Sequence, residues 1–401
     1  MKILSSFRTS LLLLIAFLFV YETILYFTVA CRQPLWHDEG HYIKTSIYLI
    51  ENSNLQALTH YNEMSTPLPF FMYGLWGKIV GFELARLRLL SLIIAFFTFL
   101  AFYQFFHRWY QDTSTALLLT VFMILQPYMI GLTVFVYTDM LAMFFIAISL
   151  IFFHNRKAIL FALSLAGGLL CRQYLIFWSL AAFFYFLWGL YISKEKGVLK
   201  MVVAAFSAHL PLLMLFWLWQ GLSPNNELKK YYLSDGFYFH TEYIVFYLCS
   251  LFVYLLPLIL WYWKKIYIHS KINVVSFIFS WTYFLFPIKS SESVSQFNVY
   301  TSGLFHRFVR LAVGESGEHL VFYLTFLLAL PLFIHLLISF SKQIRYRSGG
   351  PVFFAELAVL FFLFIMAFSY NNWEKYLLPV IPFAILMLTG NENLFKGKKM
   401  S

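Results

Sequence analysis

Long apolar segments recur along almost the whole of this 401-residue chain, and that recurrence decides which solvent it can fold in. As an α-helix, roughly 17 to 25 apolar residues cross about 30 Å of hydrocarbon. About twelve stretches approach or meet that length by this standard: 9–30, 85–106, 114–134, 136–153, 157–171, 173–192, 199–219, 241–262, 272–288, 320–340, 351–369 and 375–390. The runs are continuous rather than alternating, so they predict helices and not the period-two strands of a barrel. Hydrophobic residues make up 61% of the chain and charged residues only 12%, which excludes a soluble domain of ordinary composition. The expected class is an all-α polytopic membrane protein, a single integral membrane domain over 1–401. Core helices fall in 1–220 and a second group of helices in 221–401.

Charge then orients the chain. Lys2 and Arg8 ahead of the first apolar run resemble a secretory signal, but no small-residue cleavage site follows, so a retained anchor is expected. With that end in the cytoplasm, alternate connections hold about 17 of the 29 Lys and Arg but only about three of the 18 acids, as the positive-inside rule requires. The formal net charge of +11 is thus a topology signal and calls for no nucleic-acid partner. Polar material gathers on the opposite face: the loop from Cys31 to about Leu84, the surroundings of Asp139, Arg172-Gln173, the loops 220–240 and 289–319, and the turn Asn371 to Lys375. Three cysteines, Cys31, Cys171 and Cys249, give no disulfide framework; a Cys31–Cys171 bridge and three buried thiols are both open.

Within the first outer loop, Pro34-Leu-Trp-His-Asp-Glu-Gly-His-Tyr42 sets the adjacent carboxylates Asp38 and Glu39 directly after the first apolar run. Acids at a membrane boundary are costly and generally functional. His37 to Ile50 and Pro67 to Gly81 have the apolar spacing of amphipathic helices lying along the membrane. Between them Thr59 to Pro69 forms a rigid polar connection carrying Glu63, and Glu83, Arg86 and Arg88 mark the start of the second crossing.

The order Trp36-His-Asp-Glu-Gly-His41, then Ser65-Thr-Pro-Leu-Pro69, then Leu84-Ala-Arg-Leu-Arg-Leu-Leu-Ser91 resembles the opening of the GT-C integral membrane glycosyltransferases. Val136-Tyr137-Thr138-Asp139, followed by Cys171-Arg172-Gln173 and Trp178, is similar more narrowly to the dolichyl-phosphate-glucose α-1,2-glucosyltransferases of N-glycan precursor assembly. Glu374-Lys375-Tyr-Leu-Leu-Pro379 resembles that family's ending, with Lys375 where an Arg usually stands. The middle departs: Phe305-His306-Arg307-Phe308 is only a loose counterpart of the family's basic outer segment. The resemblance covers roughly half the chain and suggests a distant or bacterial relative. It implies a GT-C fold of about twelve helices and a hexose, glucose in the nearest family, taken from a polyprenyl-phosphate sugar. A lipid-linked glycan would accept it at the periplasmic or luminal face, in a bacterial inner membrane or the endoplasmic reticulum.

Such transfer needs a base for the acceptor hydroxyl and cations for the departing phosphate. Asp38 is the expected base, with Glu39 raising its basicity or orienting the acceptor. Arg172 is the first expectation for the donor phosphate, because a guanidinium binds phosphate through two bonds. Lys375, Arg307 and His306 stand in reserve. His37, His41, Tyr137, Asp139, Gln173, Glu63 and Glu374 are expected around the substrates. One displacement with one base predicts inversion, and no metal or nucleotide cofactor is required. Each role has a plainer alternative: Asp38 and Glu39 can cap a helix, Asp139 and Arg172 can form a structural ion pair, and His37 and His41, expected on one helical face with metal-ligand spacing, can be interfacial histidines. His37-Asp38-Glu39-Gly40-His41 lacks the zinc-protease order, which needs Glu directly after the first His. The aminoarabinose and protein O-mannosyl branches of GT-C, and a lipid or glycan transporter, are the competing functions.

Overall fold

In a computed structural model, residues 6–193, 196–224, 239–288, 302–350 and 352–390 are described, and the secondary structure among them is helical. The expectations for Lys2, for residues 225–238 of the loop 220–240, for residues 289–301 of the loop 289–319, and for the tail from Asn391 lie outside the described residues. The chain divides into two compact units, residues 1–179 with 203–230, and residues 180–202 with 231–401.

In the first unit α1 (Phe7–Leu25) runs on through one π turn, Tyr26–Ala30. Helices α2 (Glu39–Glu51), α3 (Leu55–His60) and α4 (Leu68–Val80) form the first loop. Then come α5 (Leu84–Tyr110), α6 (Thr113–Ile124), α7 (Pro127–Val134), α8 (Thr138–His154) and α9 (Ala158–Leu169). Among the described residues, five helices are long and apolar enough to cross a membrane: Phe7–Ala30, Leu84–Tyr110, Gln173–Ile192, Gly197–Trp219 and Leu304–Arg345. The protein is therefore an integral, multi-pass membrane protein. On α1 and its π turn, Leu12, Phe19, Val20 and Phe27 are more than half exposed, as side chains facing lipid would be.

The expected segments do not all survive as single spans. The 114–134 run is α6 and α7, bent by 73° where Pro127 opens the second helix. Proline removes an amide donor and clashes with the carbonyl four residues back, so a continuous apolar run still breaks there. Pro257 and Pro382 stand in the first turn of the helices that follow the breaks in 241–262 and 375–390. The 320–340 segment lies inside the Leu304–Arg345 helix, which is interrupted at Gly314 by a φ of 72° that favours glycine.

Both amphipathic helices of the first loop form. Pro67 opens α4, and Gly81 at φ 96° closes it. A short helix that the sequence did not suggest, α3, leads into the polar connection, and its first turn is capped by Asn54 accepting from the Ala57 amide at 2.8 Å. Helices α2 and α4 touch closely through Gly74: a Cβ there would sit 2.7 Å from the Ser46 carbonyl oxygen and 3.0 Å from Ile50 Cβ.

Candidate active site

The acid pair is split by its environment. Helix α2 starts at Glu39, and the first turn closes through the Tyr42 amide onto the Asp38 carbonyl. Glu39 is 0% exposed, whereas Asp38 is exposed. A buried carboxylate needs a cation and donors. Arg88, at 0% exposure on α5, supplies the cation: its Nε and Nη2 donate to the two Glu39 oxygens at 3.0 and 2.5 Å. The Val136 and Trp36 amides each donate to Glu39 at 2.8 Å. The rest of the guanidinium donates to the carbonyls of Ala30, Gln33 and Pro34 and lies over the Phe135 ring, 5.0 Å from its centroid. One ion pair thus joins the end of α1, the strap to α2, α5 and the strap before α8, and fixes the backbone that bears Asp38.

Sequence reasoning placed Arg88 only at the start of a crossing. The missed signal is its position inside Leu84-Ala-Arg-Leu-Arg-Leu-Leu: an arginine within an apolar helix has to find a carboxylate.

Around Tyr42, on the buried face of α2, Asp38, Glu63, Tyr137, Asp139 and Arg172 converge. Burial pushes the Tyr42 hydroxyl well above its ordinary range, against the Arg172 guanidinium and with the Asp38, Glu63 and Asp139 carboxylates. Four charged groups from four stretches of chain therefore act on one phenol. Tyr137, edge-on to Tyr42 at 5.5 Å, is raised by burial first and then by the Asp38 and Glu39 carboxylates, with the Asp38 backbone opposing.

Arg172 takes the structural partner set out as its alternative. Its Nη2 meets Asp139 at 2.6 Å and its Nη1 donates to Ser65 Oγ at 3.0 Å, at 7% exposure. Gln173 donates to the Met64 carbonyl and, at 3.3 Å, to that of Leu222. Thr66 Oγ1 donates to the Leu169 carbonyl at 3.0 Å, and the Leu68 amide to that of Leu170 at 3.1 Å. These bonds staple the Ser65-Thr-Pro-Leu-Pro connection to the turn after α9.

Other expectations are corrected. His37 is not on a helix with His41: it precedes α2 in a left-handed turn at φ 46°, so the shared helical face is lost, although both side chains are exposed. Cys31 is exposed, Cys171 is buried, and both are free thiols. In the second unit Glu374, 1% exposed, accepts from the Phe305 and His306 amides at 3.0 and 2.8 Å and from the Tyr254 hydroxyl at 2.5 Å. It caps the Leu304–Arg345 helix. His306 is 1% exposed, with Nε2 3.5 Å from Glu318 and Nδ1 accepting from the Ser302 amide at 3.2 Å. Arg307 is exposed, and Lys375 is half-buried over the Trp373 and Tyr376 rings at 5.7 and 5.9 Å.

Comparison with family models and with characterised proteins gives no match. Among solved structures, the crystal structure of ArnT from Cupriavidus metallidurans in the apo state aligns with a TM-score of 0.49 and 12% identity, over 96% of this chain. The chain spans 60% of that protein's length.

Proposed function

We propose that the chain is a GT-C glycosyltransferase that moves a hexose, glucose by its closest sequence resemblance, from a polyprenyl-phosphate carrier to a lipid-linked glycan at the non-cytoplasmic face. The observation that carries this reading is the division of labour in the acid pair: one carboxylate exposed, its neighbour locked in place by a buried arginine. A general base must reach a substrate hydroxyl and be held in register while it does so.

Asp38 takes the proton of the acceptor hydroxyl as that oxygen attacks the anomeric carbon; the bond to phosphate breaks, and the configuration inverts. Glu39 and Arg88 orient Asp38 without touching substrate. Arg172 and Gln173 hold the connection bearing Glu63 beside Asp38, and Arg172 meets a phosphate only by exchanging it for Asp139. His37 and His41, exposed beside the base, contact the substrates, and Glu63 and Tyr137 border the acceptor. None of these steps calls on a metal.

The test is to incubate purified full-length protein with a panel of polyprenyl-phosphate sugars and lipid-linked acceptors, with and without chelator. Chelator-insensitive, inverting transfer from one donor is expected. Movement of lipid across the bilayer with no donor consumed, for every donor in the panel, overturns the proposal in favour of transport.

A further inference from the structure

The Leu304–Arg345 helix ends in a basic run that its own fold does not use. Lys342, Arg345 and Arg347 form no ion pair among the described residues. The carboxylate beside this helix, Glu356, is buried and taken up by Ser339 and Gln343. Cations in a last turn complement the helix dipole, which accounts for Lys342 and Arg345. It does not account for Arg347, which lies beyond the helix in a left-handed conformation at φ 49°. That conformation costs a non-glycine residue energy. Arg347 holds its guanidinium over the Tyr191 ring, 5.8 Å from the centroid.

Two apolar hollows flank this run. One, of about 430 Å³, is lined by Phe184, Leu187, Trp188 and Tyr191, the ring under Arg347. The other, of about 330 Å³, runs along Ile334, Leu337 and Ile338 and ends at Lys342, Arg345 and Tyr346. Ile334, Ile338, Lys342 and Arg345 follow the spacing of one helical face, so apolar wall passes into cationic rim within a turn. The helix is long and apolar enough to span a membrane, which sets this rim at the depth where lipid phosphates lie. An aromatic shelf of Trp188 and Tyr191, rings 5.6 Å apart, stands at the same end, as interfacial anchors do.

We propose that this end of the second unit binds one anionic two-chain phospholipid, with its phosphate on Lys342, Arg345 and Arg347 and an acyl chain in each hollow. The charge argues for an anionic headgroup, and the paired hollows argue for two chains. The site is independent of the proposed transferase reaction.

The test is native mass spectrometry of the full-length protein, released from a zwitterionic detergent and titrated with phosphatidylglycerol, phosphatidylcholine or a polyprenyl phosphate. One phosphatidylglycerol is expected to remain bound where phosphatidylcholine is lost. The triple substitution K342A/R345A/R347A should weaken retention by about tenfold or more, while Arg347→Lys, which keeps charge but loses the stacked plane, falls between. A control, K264A/K271A, removes two exposed cations of the same unit and should change nothing. Unchanged thermal unfolding of the triple variant shows that the fold is intact. Equal retention of phosphatidylcholine, equal loss in the control, or full retention by the folded triple variant overturns the proposal. So does a site that holds a polyprenyl phosphate but not phosphatidylglycerol.

Discussion

Removing both partners of the Glu39–Arg88 pair should cost less than the sum of removing each alone. The two side chains are 0% exposed and meet through bonds of 2.5 and 3.0 Å. Breaking such a pair leaves an uncompensated buried charge, which costs about 3 to 5 kcal/mol, against about 0 to 1 kcal/mol for a surface pair. Arg88→Met strands Glu39; Glu39→Leu strands the guanidinium and the Val136 and Trp36 amides. For a unit of about 200 residues, each kcal/mol shifts the unfolding midpoint by about 2 to 4 °C, so each single variant should unfold about 6 to 20 °C lower. The double variant removes both charges together. It should be less destabilised than the sum of the singles by about 2 kcal/mol or more, while staying below wild type because the carbonyls of Ala30, Gln33 and Pro34 lose their donors. The assay is a double-variant cycle read by thermal unfolding in detergent. Costs that add within about 0.5 kcal/mol, or singles below about 1 kcal/mol, would refute the clamp.

Further outcomes follow from single contacts. Gly74→Ala drives a methyl into the Ser46 carbonyl and should cost about 1 to 3 kcal/mol by forcing α2 and α4 apart, read as a lower unfolding midpoint. Asp112 caps α6 by accepting from the Thr115 amide at 2.8 Å, so Asp112→Ala should cost about 1 kcal/mol. Hydrogen bonds from the Thr115 side chain and then from its amide hold the Asp112 carboxyl below its ordinary value, so its stabilisation is complete above the unfolded pKa and disappears as pH falls through the lower folded one; a pH series of midpoints for wild type and Asp112→Ala should converge in acid. Arg172→Met leaves Asp139 buried without its cation and should open the connection at Ser65, seen as faster proteolysis between Thr59 and Pro67.

The helical class and the composition of the first loop were legible because both rest on local signals: continuous apolar runs, a proline opening α4 and a glycine closing it. Span number was less so, since a hydropathy run does not register the bend at Pro127 or the interruption at Gly314. The acid pair was visible as an oddity near lipid, but its division was not. Burial of Glu39 depends on Arg88, 49 positions away, and on the Val136 amide, 97 positions away. Arg172 shows the same limit. Its proximity to Asp139 was foreseeable from the motifs, whereas the bond to Ser65, 107 positions away, turns a phosphate candidate into the anchor of a loop.

The most direct test of the account is the transfer rate of Asp38→Asn with a donor that wild-type protein uses. Asp38 is exposed and the clamp beside it is untouched, so the unfolding midpoint should hold while transfer falls by about 10²- to 10⁴-fold, the contribution of a positioned base. Transfer near the wild-type rate by a folded Asp38→Asn variant would contradict the assignment of the base, and with it the central claim.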